Sequence, residues 1–362
     1  MAVLFSQTII LGVGLLGGSL GLAAKSAHVG GRITGLGRNP NKLKKAAEIG
    51  AVDDWALTWD DAFANQKVSD GELPIQIVFA APVEINLKLL EEFWSHRDER
   101  WFQERTFVIS DVGSVKGDFT RASHKLWSSL AESDQRNVFF VPAHPIAGSD
   151  KSGVEYSTVG LFHGKLTVLT PWLLAEDRLA DVSVGNATSF EPDFDRNDPS
   201  FATLRHKIDL ALGGEQSSRD PSTVNWTAVY MAGPMYDAVS RVRNFWQALG
   251  SLVVETSAEE HDQILARTSH LTNLVSVLEM SVVPIQEFLF AGTGFQDITR
   301  LAGGSPDVWA EIYVTNRIAV LEALERLEEN IHRWKTFLKE GDRESILTFL
   351  HETKKKRDAL GS

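Results

Sequence analysis

The stretch HPIAGSDKSG, His144 to Gly153, sets a histidine ahead of a proline and a run of small residues with one acid and one base. Imidazole takes up and returns a proton near neutral pH, so His144 is a candidate general base. The alternative is a polar residue that ends a strand. A second pattern lies near the N-terminus, where Gly12-x-Gly14-x-x-Gly17 follows the apolar run Thr8 to Leu11 and opens a helical segment, Gly17 to Ser26. In such a strand, turn and helix, Gly12 permits the tight turn and Gly14 lets the backbone approach a pyrophosphate. Gly17 allows close helix packing, and the helix start, with Leu15 and Leu16, faces the phosphates. A second strand, Arg32 to Leu36, follows at the expected distance and leads into Gly37 and Arg38 rather than an acid. A carboxylate there would hydrogen-bond the ribose 2′-hydroxyl of NAD. A guanidinium instead suits a 2′-phosphate, so NADP is favoured over NAD.

These groups need a scaffold. Ile75 to Pro82, Thr106 to Ser114, Asn137 to Pro145 and Lys165 to Pro171 are apolar runs bounded by turn residues, with helical patterns between several of them. Strands alternating with helices predict a doubly wound, parallel Rossmann-type sheet covered on both faces, an α/β fold. Ligands in such sheets lie beyond the carboxyl ends of the strands. Ala80-Ala81-Pro82, Asp111 to Ser114, and His144-Pro145 are each expected at such an end, converging on the nicotinamide half of the cofactor.

Composition narrows the field. The 362 residues are 43% hydrophobic, enough for about two domains, and the formal net charge of −12 opposes binding to nucleic acid or to an anionic membrane. No cysteine is present, so there is no thiol nucleophile, disulfide or thiolate-bound zinc, and no metal site is expected. The N-terminal apolar run has no preceding Lys or Arg and is broken by five glycines, unlike a secretory leader. A cytoplasmic location is the expectation.

Four runs together resemble the prephenate and arogenate dehydrogenase family of tyrosine biosynthesis. They are GVGLLGGSLG, DVGSVKG, HPIAGSDKSGVEYSTVGLFHGKLTVLTP, and SAEEHD through TSHLTNL to GFQDITRLAGGSPDVW. The resemblance implies an oxidative decarboxylation in which hydride passes to a nicotinamide and the ring carboxylate leaves as carbon dioxide. It implies that His144 accepts the proton of the ring hydroxyl and that Ser114 hydrogen-bonds that hydroxyl. Ser149 becomes a substrate contact, Arg300 the arginine that holds a substrate carboxylate, and His270 a pocket histidine. Trp309 matches a tryptophan that reaches a neighbouring subunit's site. Asn273 stands where the family has a second histidine, which blurs the choice between a keto and an amino side chain. The 4-amino-4-deoxyprephenate dehydrogenases share these motifs and remain an alternative. A non-catalytic dinucleotide sensor is an alternative of another class, though it has no use for a base. Lys116 and Lys151 are read as solvated or as steering an anion. His261, nine residues before His270, falls on the opposite face of a straight helix and reads as structural.

The expected organisation is a dinucleotide-binding domain over 1–172, a polar surface insertion over 173–234, a helix and strand completing that domain over 235–256, and an all-α domain over 257–362. Ser257 to Glu260 has the form of a capping box opening a helix that runs through His270 towards Val283. Ser305-Pro306 opens another, along which Val320, Leu324, Leu327, Ile331, Trp334 and Leu338 form a heptad seam ending at Gly341. Such a seam buries within the chain or between two copies, and the resemblance favours a homodimer. No segment is expected for a fused mutase or an effector domain.

Overall fold

The computed structural model describes residues 2–63, 73–130, 135, 137–148, 151–171 and 234–359. Ser149 and nearly all of the polar insertion lie outside these. The described residues fall into two compact units, one comprising 2–171 with 234–258 and the other 259–359.

The first unit is built on β1 (Gln7–Leu11), β2 (Arg32–Leu36), β3 (Asp54–Ala56), β4 (Ile75–Phe79), β5 (Phe107–Asp111) and β6 (Val138–Phe140), all parallel in the order β3-β2-β1-β4-β5-β6. Successive strand residues face opposite sides, and the core divides accordingly. Ile10, Val78 and Val108 join α1 (Leu15–Ala27) and α2 (Pro40–Glu48) in one cluster. Ile9, Leu11, Ile77, Phe79, Phe107 and Ile109 join α3 (Trp59–Phe63), α4 (Val83–Ser95), the short α5 (Arg100–Gln103) and α6 (Gly117–Trp127) in another. The strand order reverses direction between β1 and β4, which opens the crevice where such sheets bind ligands.

A second, three-stranded sheet corrects part of the sequence reading. The run Asn137 to Pro145 is not one strand, because after β6 the chain turns into β7 (Ala143–Pro145), which pairs antiparallel with β8 (Leu166–Leu169). β9 (Leu252–Glu255), which follows α7 (Pro234–Ala248), pairs parallel with β8. Pro142 interrupts the run and supplies no N–H to a ladder, a physical reason for the break. His144 therefore stands mid-strand in the small sheet, opposite Val168, and not at the carboxyl end of a parallel strand.

The second unit is helical. Its first helix, α8 (Ala258–Leu265), continues through a π-helical turn, Ala266–His270, into α9 (Leu271–Val282). Then come α10 (Thr293–Thr299), a 3-10 turn at Arg300–Gly303, α11 (Pro306–Thr315), α12 (Arg317–Glu340) and α13 (Arg343–Ala359). The helix from Pro306 is not continuous: it breaks at Asn316 before the heptad seam begins. Gly341 ends α12 in the left-handed conformation, φ 64°. No described helix is long and apolar enough to cross a membrane.

Candidate active site

The glycine turn has the geometry that its residues require. Gly12 has φ +95°, and a Cβ there would stand 2.8 Å from the Ala80 carbonyl and the Ala81 nitrogen at the end of β4. A Cβ on Gly17 would lie 2.3 Å from the Gly12 carbonyl oxygen, so α1 could not pack on the turn. A Cβ on Gly14 would meet nothing within 4 Å. That open space lies at the N-cap of α1, which has no capping side chain and no acid in its first turn. The amides of Leu15, Leu16 and Gly17 are thus left for an anion, and the residues fit a dinucleotide pyrophosphate. Arg38 is exposed just beyond β2, and Asn39 spends its side-chain oxygen on the N–H groups of Asn41 and Lys42. At the end of β4, Ala81 and Pro82 form a turn held by buried Asn86, which accepts from the Ala81 N–H at 3.1 Å and donates to the Ala81 carbonyl at 2.8 Å. Asn86 carried no signal in sequence because a lone helical Asn has none.

The segments that carry Ser114 and His144 are joined by an arrangement that sequence reasoning missed. Asp111 ends β5, Lys116 precedes α6, and Ser114 lies half-buried between them. Lys116 is neither solvated nor free to steer a ligand, for it is fully buried and donates to Asp111 Oδ2 at 2.5 Å and to the Ala143 carbonyl at 2.7 Å. Asp111 Oδ1 accepts from the Ala143 N–H at 3.3 Å, and Oδ2 from the Gly113 N–H at 3.0 Å. Both polar groups of the residue before His144 are therefore bound to the residues flanking Ser114. Burial pushes the Asp111 carboxyl pKa up, while Lys116 and the two N–H groups oppose that shift. His144 itself is buried, at 8% exposure.

The segment after His144 reaches back to the cofactor turn. Ser157 Oγ donates to the carbonyls of Gly14 and Leu15 at 3.3 and 3.2 Å, and the Thr158 N–H donates to Ser19 Oγ at 3.0 Å. That stretch of chain therefore braces the start of α1.

In the second unit, the straight-helix geometry assumed for His261 and His270 does not hold. The π-helical turn adds one residue per turn and rotates His270 relative to α8, a local irregularity that periodicity cannot reveal. Both rings are buried. Asn316 Nδ2 donates to the Asp262 carbonyl at 2.8 Å and approaches His270 Nδ1 at 3.0 Å. A carbonyl can only accept, so the amide must present its N–H groups, and His270 Nδ1 must accept. The ring proton then lies on Nε2. Burial, aided by the charge of His261 and opposed by Asp262, lowers the His270 pKa to about 4, so the ring is neutral at pH 7. Trp309 sets its ring against His270, centroids 6.3 Å apart and nearly perpendicular.

Arg300 is exposed at the start of its 3-10 turn; its backbone N–H donates to the Gln296 carbonyl, and its guanidinium has no hydrogen bond or ion pair among the described residues. Asn273 is buried, donating to the Leu301 carbonyl at 2.7 Å and accepting from the Tyr313 hydroxyl at 2.6 Å. Lys151 lies over the Tyr156 ring at 5.1 Å.

Comparison with known proteins identifies the family of the chain. Residues 20–183 match the family described as prephenate dehydrogenase, nucleotide-binding domain, and residues 257–352 match prephenate dehydrogenase, dimerization domain. The prephenate dehydrogenase of Bacillus subtilis (strain 168) is 27% identical over 361 residues, 98% of this chain and 76% of its own length. The cyclohexadienyl dehydrogenase of Zymomonas mobilis is 22% identical over 71% of this chain and 67% of its own. The prephenate dehydrogenase of A. aeolicus, in complex with hydroxyphenyl propionate and NAD+, has the same fold. Its TM-score is 0.66 at 23% identity, covering 97% of this chain and 96% of that one. Two matched domains in family order, and a relative aligned along almost the whole chain, place this protein in the prephenate and arogenate dehydrogenase family.

Proposed function

We propose that this chain oxidatively decarboxylates prephenate to 4-hydroxyphenylpyruvate, with NADP+ favoured over NAD+. The observation that carries this reading is that Asp111 and Lys116, on either side of Ser114, bind each other and both backbone groups of Ala143, the residue before His144. The bound nicotinamide supplies the hydride acceptor. Gly12, Gly14, Leu15, Leu16 and Gly17 would hold its pyrophosphate, Ala81 and Pro82 would line the nicotinamide half, and Arg38 would take a 2′-phosphate. His144 removes the proton from the ring hydroxyl, and Ser114 hydrogen-bonds the same oxygen and orients it. With that proton and the hydride gone, the electron pair of the breaking bond to the ring carboxylate flows into the ring, carbon dioxide leaves, and the ring becomes aromatic. The oxygen recovers its proton from His144. Arg300 holds a substrate carboxylate bidentately, with His270 and Ser149 completing the substrate end.

Two copies are proposed to pair through the helical unit, bringing Trp309 towards the partner's site. Along the seam, exposure rises from buried Val320 to 49% at Ile331 and 66% at Leu338, an apolar stripe that a second copy would cover.

Initial rates of cofactor reduction with prephenate and arogenate, each with NAD+ and NADP+, test the reading, and no rate in any combination overturns it. His144→Asn should keep dinucleotide affinity and lower kcat by about a hundred-fold or more. Unchanged turnover would place the base elsewhere. Arg38→Ala should lower kcat/KM for NADP+ by about ten-fold while leaving NAD+ nearly unaffected. Equal losses with both cofactors would remove the 2′-phosphate from the account.

A further inference from the structure

The 3-10 turn that presents Arg300 is held from one face of α9. Asn273 and Ser276 are three residues apart on that face and are both buried, 2% and 1% exposed. Asn273 Nδ2 donates to the Leu301 carbonyl at 2.7 Å, and Ser276 Oγ accepts from the Ala302 N–H at 2.9 Å. The turn's two residues after Arg300 are thus fixed through one carbonyl and one amide. The amide orientation is unambiguous, because the Leu301 oxygen accepts only and must meet the NH2 end of Asn273. The Oδ1 end then receives the Tyr313 hydroxyl at 2.6 Å, and burial raises the Tyr313 pKa and keeps that hydroxyl a donor. Both ends of the Asn273 amide are committed to the protein, while the Arg300 guanidinium stays exposed.

We propose that Asn273 is a positioning residue for Arg300, acting with Ser276 on the Leu301-Ala302 backbone rather than binding the substrate side chain. The proposal rests on Arg300 holding a substrate carboxylate. It explains a hydrogen-bonding amide at this place on α9: a compact side chain that donates downward and accepts from the opposite side spans the gap between the turn and Tyr313. Losing either brace lets the turn shift, and a bidentate fork tolerates little displacement.

The test is steady-state kinetics on the full-length enzyme with Asn273→Leu, Asn273→His, Ser276→Ala and Arg300→Gln, with thermal unfolding of each variant. Asn273→Leu and Ser276→Ala should each raise KM for prephenate by about ten-fold and leave kcat within about two-fold, the signature of a lost binding contact. Each should add little to the KM of Arg300→Gln, because the brace acts only through the arginine. Should Asn273→Leu fail to fold, Ser276→Ala carries the same comparison. An unchanged KM in folded Ser276→Ala, beside a raised one in Arg300→Gln, overturns the proposal. A KM below wild type in Asn273→His overturns it as well, since a direct cationic contact would then have been gained. An unchanged KM in Arg300→Gln instead removes the reading of the arginine on which the proposal stands.

Discussion

Replacing Lys116 with Met keeps most of the side-chain volume and removes only the charge and the donors. Lys116 and Asp111 are 0% and 1% exposed, so the loss leaves a buried carboxylate with two N–H donors and no cation, and leaves the Ala143 carbonyl without the lysine. Breaking a buried pair in this way costs about 3–5 kcal/mol. In Asp111→Asn/Lys116→Met the charge is gone, and the single amide oxygen can accept from only one of the Ala143 and Gly113 N–H groups. The remaining defects are then all neutral, the Ala143 carbonyl and one N–H left without a partner, and none carries the penalty of an uncompensated buried charge. The double variant should therefore be more stable than Lys116→Met alone. Turnover should not follow stability. Both variants lose the donor that fixes the peptide before His144, and a misplacement of about 1 Å costs on the order of a hundred-fold. Urea unfolding gives the stabilities, and initial rates at saturating prephenate give kcat. Wild-type stability in Lys116→Met would refute the buried-pair argument. Wild-type kcat in the double variant would show that the pair does not position His144.

Two further predictions concern acid and the cofactor turn. His270 is held neutral with a pKa lowered to about 4, whereas the unfolded chain protonates it below about 6.5. Its contribution to stability is therefore complete above pH 6.5 and lost as pH falls towards 4, by up to about 3 kcal/mol. Urea midpoints between pH 7 and 4.5 should fall less in His270→Gln than in wild type, and equal slopes would contradict the buried neutral ring. Gly14→Ala should fold normally, since its Cβ meets no atom within 4 Å, yet lose dinucleotide affinity by about ten-fold or more. Gly17→Ala should instead destabilise the fold, its Cβ lying 2.3 Å from the Gly12 oxygen. Tryptophan-fluorescence titration and thermal unfolding separate the two, and normal cofactor affinity in Gly14→Ala would exclude the pyrophosphate from that space.

The parallel sheet and the glycine turn were legible in the sequence because local interactions dictate them. Apolar runs of strand length, a glycine spacing that only one turn geometry satisfies, and a proline at a helix start each act within a few residues. What sequence could not supply was every contact made across the fold. A lysine in DVGSVKG looks like any solvated lysine until Asp111 and Ala143 close around it, 5 and 27 residues away in the chain. The π-helical turn and the helix break at Asn316 leave no periodic trace, yet together they set the tautomer of His270. Pro142 was visible, but its effect in carrying His144 out of the main sheet appears only when β8 is available as a partner. Asn273 marked a departure in sequence, and its bonds to Leu301 and Tyr313 exist only once three segments are packed together. The sequence by itself determined which residues are candidates for acid–base and anion-binding chemistry, because that is a property of side-chain type. The tertiary structure decided which of them are held, by what, and in which protonation state, because burial and long-range hydrogen bonds control orientation and pKa.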